Sequence, residues 1–159
     1  MQQSANQKKF FLAALTMILG VLAMPSQAFA SDPIYTSLFS NKAVGGYDTV
    51  SYFQGDGTPV KGSQDFQTEW RGANWYFSSQ ENLNLFKADP LKYAPQYGGY
   101  CAWATAHDTL AKGDPEVYFV QDDKLYLNIN ENIGGQWEAR KEELIPVSDK
   151  AYPELVDLK

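Results

Sequence analysis

The chain carries one cysteine, Cys101, in 159 residues. A single thiol cannot close an internal disulfide, so no covalent staple holds the fold. It also excludes a zinc site built only from the cysteines of one chain, which needs several thiolates. Stability must come from apolar packing, and the length allows one domain of ordinary size. Hydrophobic residues make up 44% of the chain and charged residues 20%, the balance of a globular sequence.

The first thirty residues read as an address, not as part of that domain. Lys8 and Lys9 precede an apolar run from Phe10 to Met24, and Pro25 and Ser26 end it. Ala28-Phe29-Ala30 supplies the small-x-small pattern before a cut at Ser31. The run is about fifteen residues, short of the roughly twenty that a spanning helix needs. The expectation is a cleavable signal over 1–30 and a periplasmic product that leaves the membrane after cleavage. No Cys follows the run, which disfavours a lipid anchor.

Removing 1–30 changes the counts. Lys8 and Lys9 go and no acid goes with them, so eleven bases face nineteen acids and the net charge moves from −6 to −8. That balance argues against a nucleic-acid partner, which calls for clustered Lys and Arg. Met1, Met17 and Met24 also lie in the leader, so residues 31–159 hold no Met, one His and one Cys. They keep all ten Tyr, all four Trp and six Phe, enough aromatic surface for a dense core.

Local patterns point to an α+β fold of small antiparallel hairpins packed with short helices. Ser31 to Asn41 reads as an irregular lead-in. Val44 to Asp48 has turn chemistry and Thr49 to Phe53 is β-favouring. Asp65 to Trp70 alternates polar and apolar, Arg71 to Asn74 reads as a hairpin loop, and Trp75 to Phe77 returns as a strand. Ser78 or Ser79 can cap a helix carrying Leu83 and Phe86, which Asp89-Pro90 stops. The Ala content makes Tyr100 to His107 helical. Val117–Val120 and Lys124–Asn128 flank a second turn. A last helix is expected over Asn130–Leu144, with a weak point at Gly134-Gly135 and a turn at Pro146.

Gly72, Trp75-Tyr76-Phe77-Ser78, Phe86, Pro90 and Tyr93 resemble the core of the YHS domain. Gly46-Tyr47-Asp48, Trp70-Arg71-Gly72-Ala73, Pro95 to Ala102, Asp114-Pro115 and Lys124 to Asn128 extend the likeness to the exported YHS domain-containing (seleno)proteins. On this resemblance residues 31–159 form a single YHS-like domain, with a core over 43–137 and a C-terminal helical extension over 138–159. The family is associated with metal handling, which makes copper, iron or zinc the implied cofactor. Its metal-type cysteines, however, have no counterpart in Asp48 to Ser51 or Phe77 to Asn82. Some relatives place selenocysteine where Cys101 stands, which implies a reactive chalcogen there.

Cys101 is therefore the centre of the candidate site, with His107 and Asp48 as further candidate ligands and Tyr47, Tyr100 and Trp103 as supporting residues. A helix starting after Gly98-Gly99 would put Cys101 at an N-terminus, where free N–H groups make a thiol more reactive. His107 lies six residues on. In one helix the two side chains are about 120° apart with about 9 Å of rise; in a strand they are about 20 Å apart. Neither arrangement lets both bind one ion at about 2.0–2.3 Å, so joint ligation requires a bend. Asp108 is adjacent and carries the same question. One thiolate, one imidazole and no thioether cannot complete a soft-metal site alone.

Three functions follow. The first is an exported soft-metal accessory centred on Cys101. The second is thiol redox chemistry with a periplasmic thiol protein as partner. The third is a non-catalytic structural or ligand-binding module with Cys101 buried. No phosphate loop, dinucleotide fingerprint or paired-cysteine motif supports a familiar enzyme class, and no feature dictates an oligomeric state.

Overall fold

A computed structural model describes residues 31–158; the signal segment expected over 1–30 lies outside the described residues. The fold is α+β. Six short strands pair into three antiparallel hairpin-like units, and four helices pack against them. Among the described residues, no helix is long and apolar enough to cross a membrane.

The alternation over Asp65 to Trp70 becomes strand β3 (Ser63–Trp70), with Phe66, Thr68 and Trp70 half-buried and their neighbours exposed. It pairs with β4 (Ala73–Phe77) through a turn of only two residues, Arg71 and Gly72. Both have positive φ, 48° and 74°, the backbone that matches the right-handed twist of a tight hairpin. The second hairpin repeats the device. Strands β5 (Asp114–Gln121) and β6 (Lys124–Asn128) meet at Asp122-Asp123, with φ of 52° and 57°.

The β-favouring stretch after Asp48 is not a strand. Strand β1 holds only Tyr47–Asp48, pairs with β2 (Val60–Lys61), and is followed by a 3₁₀ turn at Ser51–Phe53. The reason is local side-chain bonding. Asp48 Oδ1 accepts from Val50 N at 2.9 Å, and Ser51 Oγ donates to the Asp48 carbonyl at 2.8 Å. Those bonds turn the backbone away from extension before propensity can act.

Ser79 caps α1 (Gln80–Ala88) by accepting from Asn82 N at 3.1 Å, which buries Leu83 and Phe86 on one face. Asp89 ends it and caps the single turn α2 (Pro90–Tyr93). The segment Tyr100 to His107 is helical only over α3 (Ala102–Thr105). The expected break at Pro146 is absent: α4 runs from Glu131 to Leu155, through Pro146 and Pro153 and across residue 137. An interior proline costs roughly 3 kcal/mol. Beyond it the helix buries Ala151 and Tyr152, just before it Leu144, and Ser148 Oγ donates to the Ala102 carbonyl at 3.1 Å. At about 1.5–3 kcal/mol for each large side chain, that packing outweighs the missing bond.

Two cores result. One gathers Val50, Tyr52, Trp75, Phe77, Phe86, Leu125 and Leu127; the other gathers Tyr97, Tyr100, Tyr126, Trp137, Leu144 and Tyr152. Strand β6 divides them, because successive side chains of a strand point to opposite faces. Leu125 and Leu127 enter the first core, while Tyr126 packs at a tilt against Trp137, centroids 5.0 Å apart, in the second. The lead-in is tied to the rest where Tyr35 N donates to the Gly98 carbonyl at 2.8 Å. Gly98 has φ of 61°, and a Cβ there would sit 1.9 Å from the Pro33 carbonyl oxygen, so only glycine lets these backbones meet.

Asp48 locks the first core. Its Oδ2 accepts from Ser78 N at 2.8 Å, Ser78 Oγ at 2.6 Å and Asn82 Nδ2 at 2.7 Å. Asp48→Asn would turn an N–H₂ group toward those donors or strand them. Its expected cost is on the order of 3 kcal/mol, a fall of about 10 °C in Tm, read by thermal unfolding; an unchanged Tm would contradict the assignment. In the second core, burial pushes the Tyr126 and Tyr152 hydroxyls up to about 12, and burial with the Asp149 carboxylate drives Tyr97 upward as well. Unfolded tyrosine titrates near 10. Between about pH 10 and 12 the unfolded chain sheds protons that the native state keeps, so stability present below pH 10 is lost as pH rises. Urea midpoints should fall steadily from about pH 9.5 to 11.5.

Candidate functional site

Cys101 occupies the N-cap position of α3 with an extended backbone (φ −67°, ψ 121°) and makes no side-chain cap bond. Its backbone is held on both sides: its N–H donates to Ala111 O at 2.8 Å, and its carbonyl accepts from Thr105 N and Thr105 Oγ1, both at 3.0 Å. The segment lies beside β6 through a parallel bridge from Cys101 to Leu127. The residue is 0% exposed. Its sulfur is 3.7 Å from Asn128 Oδ1, to which the thiol donates.

Asn128 is the residue that sequence reasoning missed. It is also 0% exposed, and its Oδ1 accepts a second hydrogen bond, from Trp103 N at 3.2 Å. That backbone donor sets the amide orientation, since the flipped amide would oppose two donors. Its Nδ2 has no hydrogen-bond partner among the described residues. The available signal was the two-residue period of Lys124 to Asn128, which puts Asn128 on the Tyr126 side of β6, toward the second core.

His107 does not join Cys101. It is exposed, its Nδ1 lies 2.7 Å from the Trp103 carbonyl, and its ring stacks on Trp103 at 4.8 Å. The Arg140 guanidinium carbon lies 5.7 Å from the centroid of the same Trp103 ring. A bend between Cys101 and His107 does exist, since α3 is a single turn, but it carries the imidazole outward. Asp48 is elsewhere in the fold, its oxygens taken by Val50, Ser78 and Asn82. Asp108 stands in an exposed turn with φ of 53°.

The supporting tyrosines are also committed. Tyr47 Oη donates to Glu116 Oε1 at 2.7 Å; that hydrogen bond first, with desolvation second, raises its hydroxyl to about 12. Lys61 Nζ lies 3.5 Å from the Tyr47 ring centroid. Tyr100 Oη donates to the Asp32 carbonyl at 2.9 Å, and its ring meets Tyr35 edge-on. Among the described residues, no group of three His, Cys, Asp or Glu side chains is placed to hold a metal ion. The copper, iron or zinc that the resemblance implies therefore finds no donor set within this part of the chain: the one thiol is enclosed and the one imidazole faces away.

The comparisons with known proteins return one family. Residues 54–97 match the YHS domain. No curated protein matches the chain, and no solved structure does. The matched stretch holds the β3–β4 hairpin, α1, α2 and Tyr97; Asp48, Cys101 and His107 lie outside it. The aromatic hairpin, the capped helix that follows it and the Pro90 turn are thus the part of the molecule that is similar to the YHS domain.

Proposed function

We propose that this chain is an exported YHS domain that acts as a binding module rather than a catalyst, with Cys101 as a sealed part of its core. The observation that carries this reading is the position of the thiol, 0% exposed and donating to the buried amide of Asn128. A cysteine nucleophile needs a base within hydrogen-bond reach. The side chain at that place is a carboxamide, which is no base at neutral pH. Redox exchange likewise requires another sulfur to approach along an open path. The export half of the proposal rests on the charged start, apolar run and Ala28-Phe29-Ala30 pattern of residues 1–30.

Soft-metal handling at Cys101, the role that the family resemblance favours, asks more of this fold. The contact between β6 and α3 would have to open, and a second molecule would have to complete the ligand set. A buried free cysteine otherwise behaves as a small apolar side chain with a weak donor, which is how the sulfur is used beside Asn128.

Thiol labelling with metal analysis of one sample tests the proposal. A thiol released only by unfolding should label at least about a thousandfold more slowly in native buffer than in denaturant. After exposure to Cu(I), Zn(II) or Fe(II) and desalting, wild type and Cys101→Ser should retain equal, near-zero metal. Rapid native labelling, or stoichiometric metal that disappears in Cys101→Ser, would overturn it.

A further inference from the structure

Strand β5 has a strand partner on one edge only, β6. The two-residue turn sets their register, with Gln121 opposite Lys124, Val120 opposite Leu125 and Tyr118 opposite Leu127. Antiparallel pairs alternate between residues that exchange both backbone bonds and residues that exchange none. The Leu125 carbonyl is turned away from β5, since it accepts from Gln96 N at 2.9 Å. Val120, opposite it, therefore directs its own N–H and C=O away from β6, and Tyr118, two residues back, does the same. Among the described residues, these outward backbone groups have no hydrogen-bond partner. A row of open donors and acceptors is what an added strand pairs with.

A groove of about 280 Å³ runs along that edge. One wall is Glu116, Val117, Tyr118 and Phe119. Successive side chains of a strand alternate between its faces, so a groove touching all four reaches the strand by its edge. The other wall is Glu131, Gly135 and Glu138, one face of α4 at helical spacing. The two glycines of α4 shape the space. A Cβ on Gly134 would lie 2.8 Å from Val117 Cγ1, so its absence seats the helix close against β5. A Cβ on Gly135 would meet nothing within 4 Å. Glycine is a poor helix former, and at Gly135 no close packing accounts for it; what it leaves is room in the groove.

The charged groups on both walls are carboxylates. Among the described residues, the exposed side chains of Glu131 and Glu138 make no ion pair or hydrogen bond, and Glu116 accepts from Tyr47 Oη alone. Lys61 rests on the Tyr47 ring and forms no ion pair with Glu116 within 4 Å, and Arg140 is held by Glu143. We infer that this groove docks an extended, lysine- or arginine-bearing segment of a partner protein, added to β5 as a strand with its basic side chains toward Glu116, Glu131 and Glu138. The inference rests on the binding-module reading and names its partner class. A second copy of this edge is the wrong occupant, because it would bring the same carboxylates against their like.

The test is an NMR titration of the full ¹⁵N-labelled protein with a capped peptide of alternating Lys and Val. Saturable shifts should appear at the Tyr118 and Val120 amides. The same peptide with Gln for Lys should bind about tenfold more weakly for want of the ion pairs, and one methylated on its amide nitrogens should lose binding because it cannot complete the ladder. Glu131→Gln with Glu138→Gln should weaken the Lys peptide about three- to tenfold. Gly135→Leu puts a better helix former at an exposed position. It should leave thermal stability equal or higher while weakening the peptide at least about tenfold, a split that damage to the fold would not produce. Absence of saturable shifts, equal binding of the Lys and Gln peptides, or undiminished binding in Gly135→Leu would overturn the inference. So would pairing of this edge with a second copy, seen as concentration-dependent loss of the same amide signals without peptide. A protected Cys101 together with no peptide binding would sink this inference alone; a freely labelled Cys101 with peptide binding intact would sink only the sealed-core reading.

Discussion

Strand β6 is buried on both faces, and much of the molecule is arranged around that constraint. Five residues cannot satisfy two cores unless their pleat is respected at every position. Leu125 and Leu127 close the core built from the β3–β4 hairpin and α1, while Tyr126 closes the one built from α4. A shift of one residue would send both leucines into the tyrosine-rich core and Tyr126 into the leucine side. The same pleat delivers Asn128 to the α3 side, where one amide oxygen serves the Cys101 thiol and the Trp103 N–H together. The thiol's burial is thus a consequence of strand register.

Asp48 does for the first core what the pleat does for both. A carboxylate can accept about four hydrogen bonds, and Asp48 accepts four, from Val50, Ser78 twice and Asn82. Those donors come from the turn after β1, the end of β4 and the first turn of α1. The residue that looked like a candidate metal ligand is a joint between three pieces of backbone. Satisfied this fully, it has no free oxygen for an ion, and that follows from where its neighbours' donors point.

Much of the fold was legible in short-range pattern. The alternation over Asp65 to Trp70 and the Asp89-Pro90 stop came out as read, and of the two serines offered as a cap Ser79 serves while Ser78 bonds Asp48, because each feature depends mostly on residues within a turn or two. The errors share a cause as well. Thr49 to Phe53 lost its strand to hydrogen bonds of Asp48 and Ser51. Pro146 failed to end α4 because Leu144, Ser148 and Tyr152 are held by partners distant in sequence, Ala102 and Pro33 among them. Joint ligation by Cys101 and His107 required a bend between them; the single turn there leaves the thiol inside and the imidazole on Trp103.

The sequence by itself determined that the fold could not be stapled by disulfides, that aromatic packing had to hold it, that hairpins and short helices would alternate, and that a YHS segment lay at its centre. These are properties of composition and of contacts a few residues apart. Only the tertiary structure decided what the informative side chains do. Whether a thiol is reactive depends on what surrounds it, and the Cys101 surroundings arrive from β6, 27 residues later. Whether a glutamate is a surface charge or the wall of a groove depends on α4 converging on the edge of β5. Burial and convergence are set by long-range packing, which no local spacing encodes.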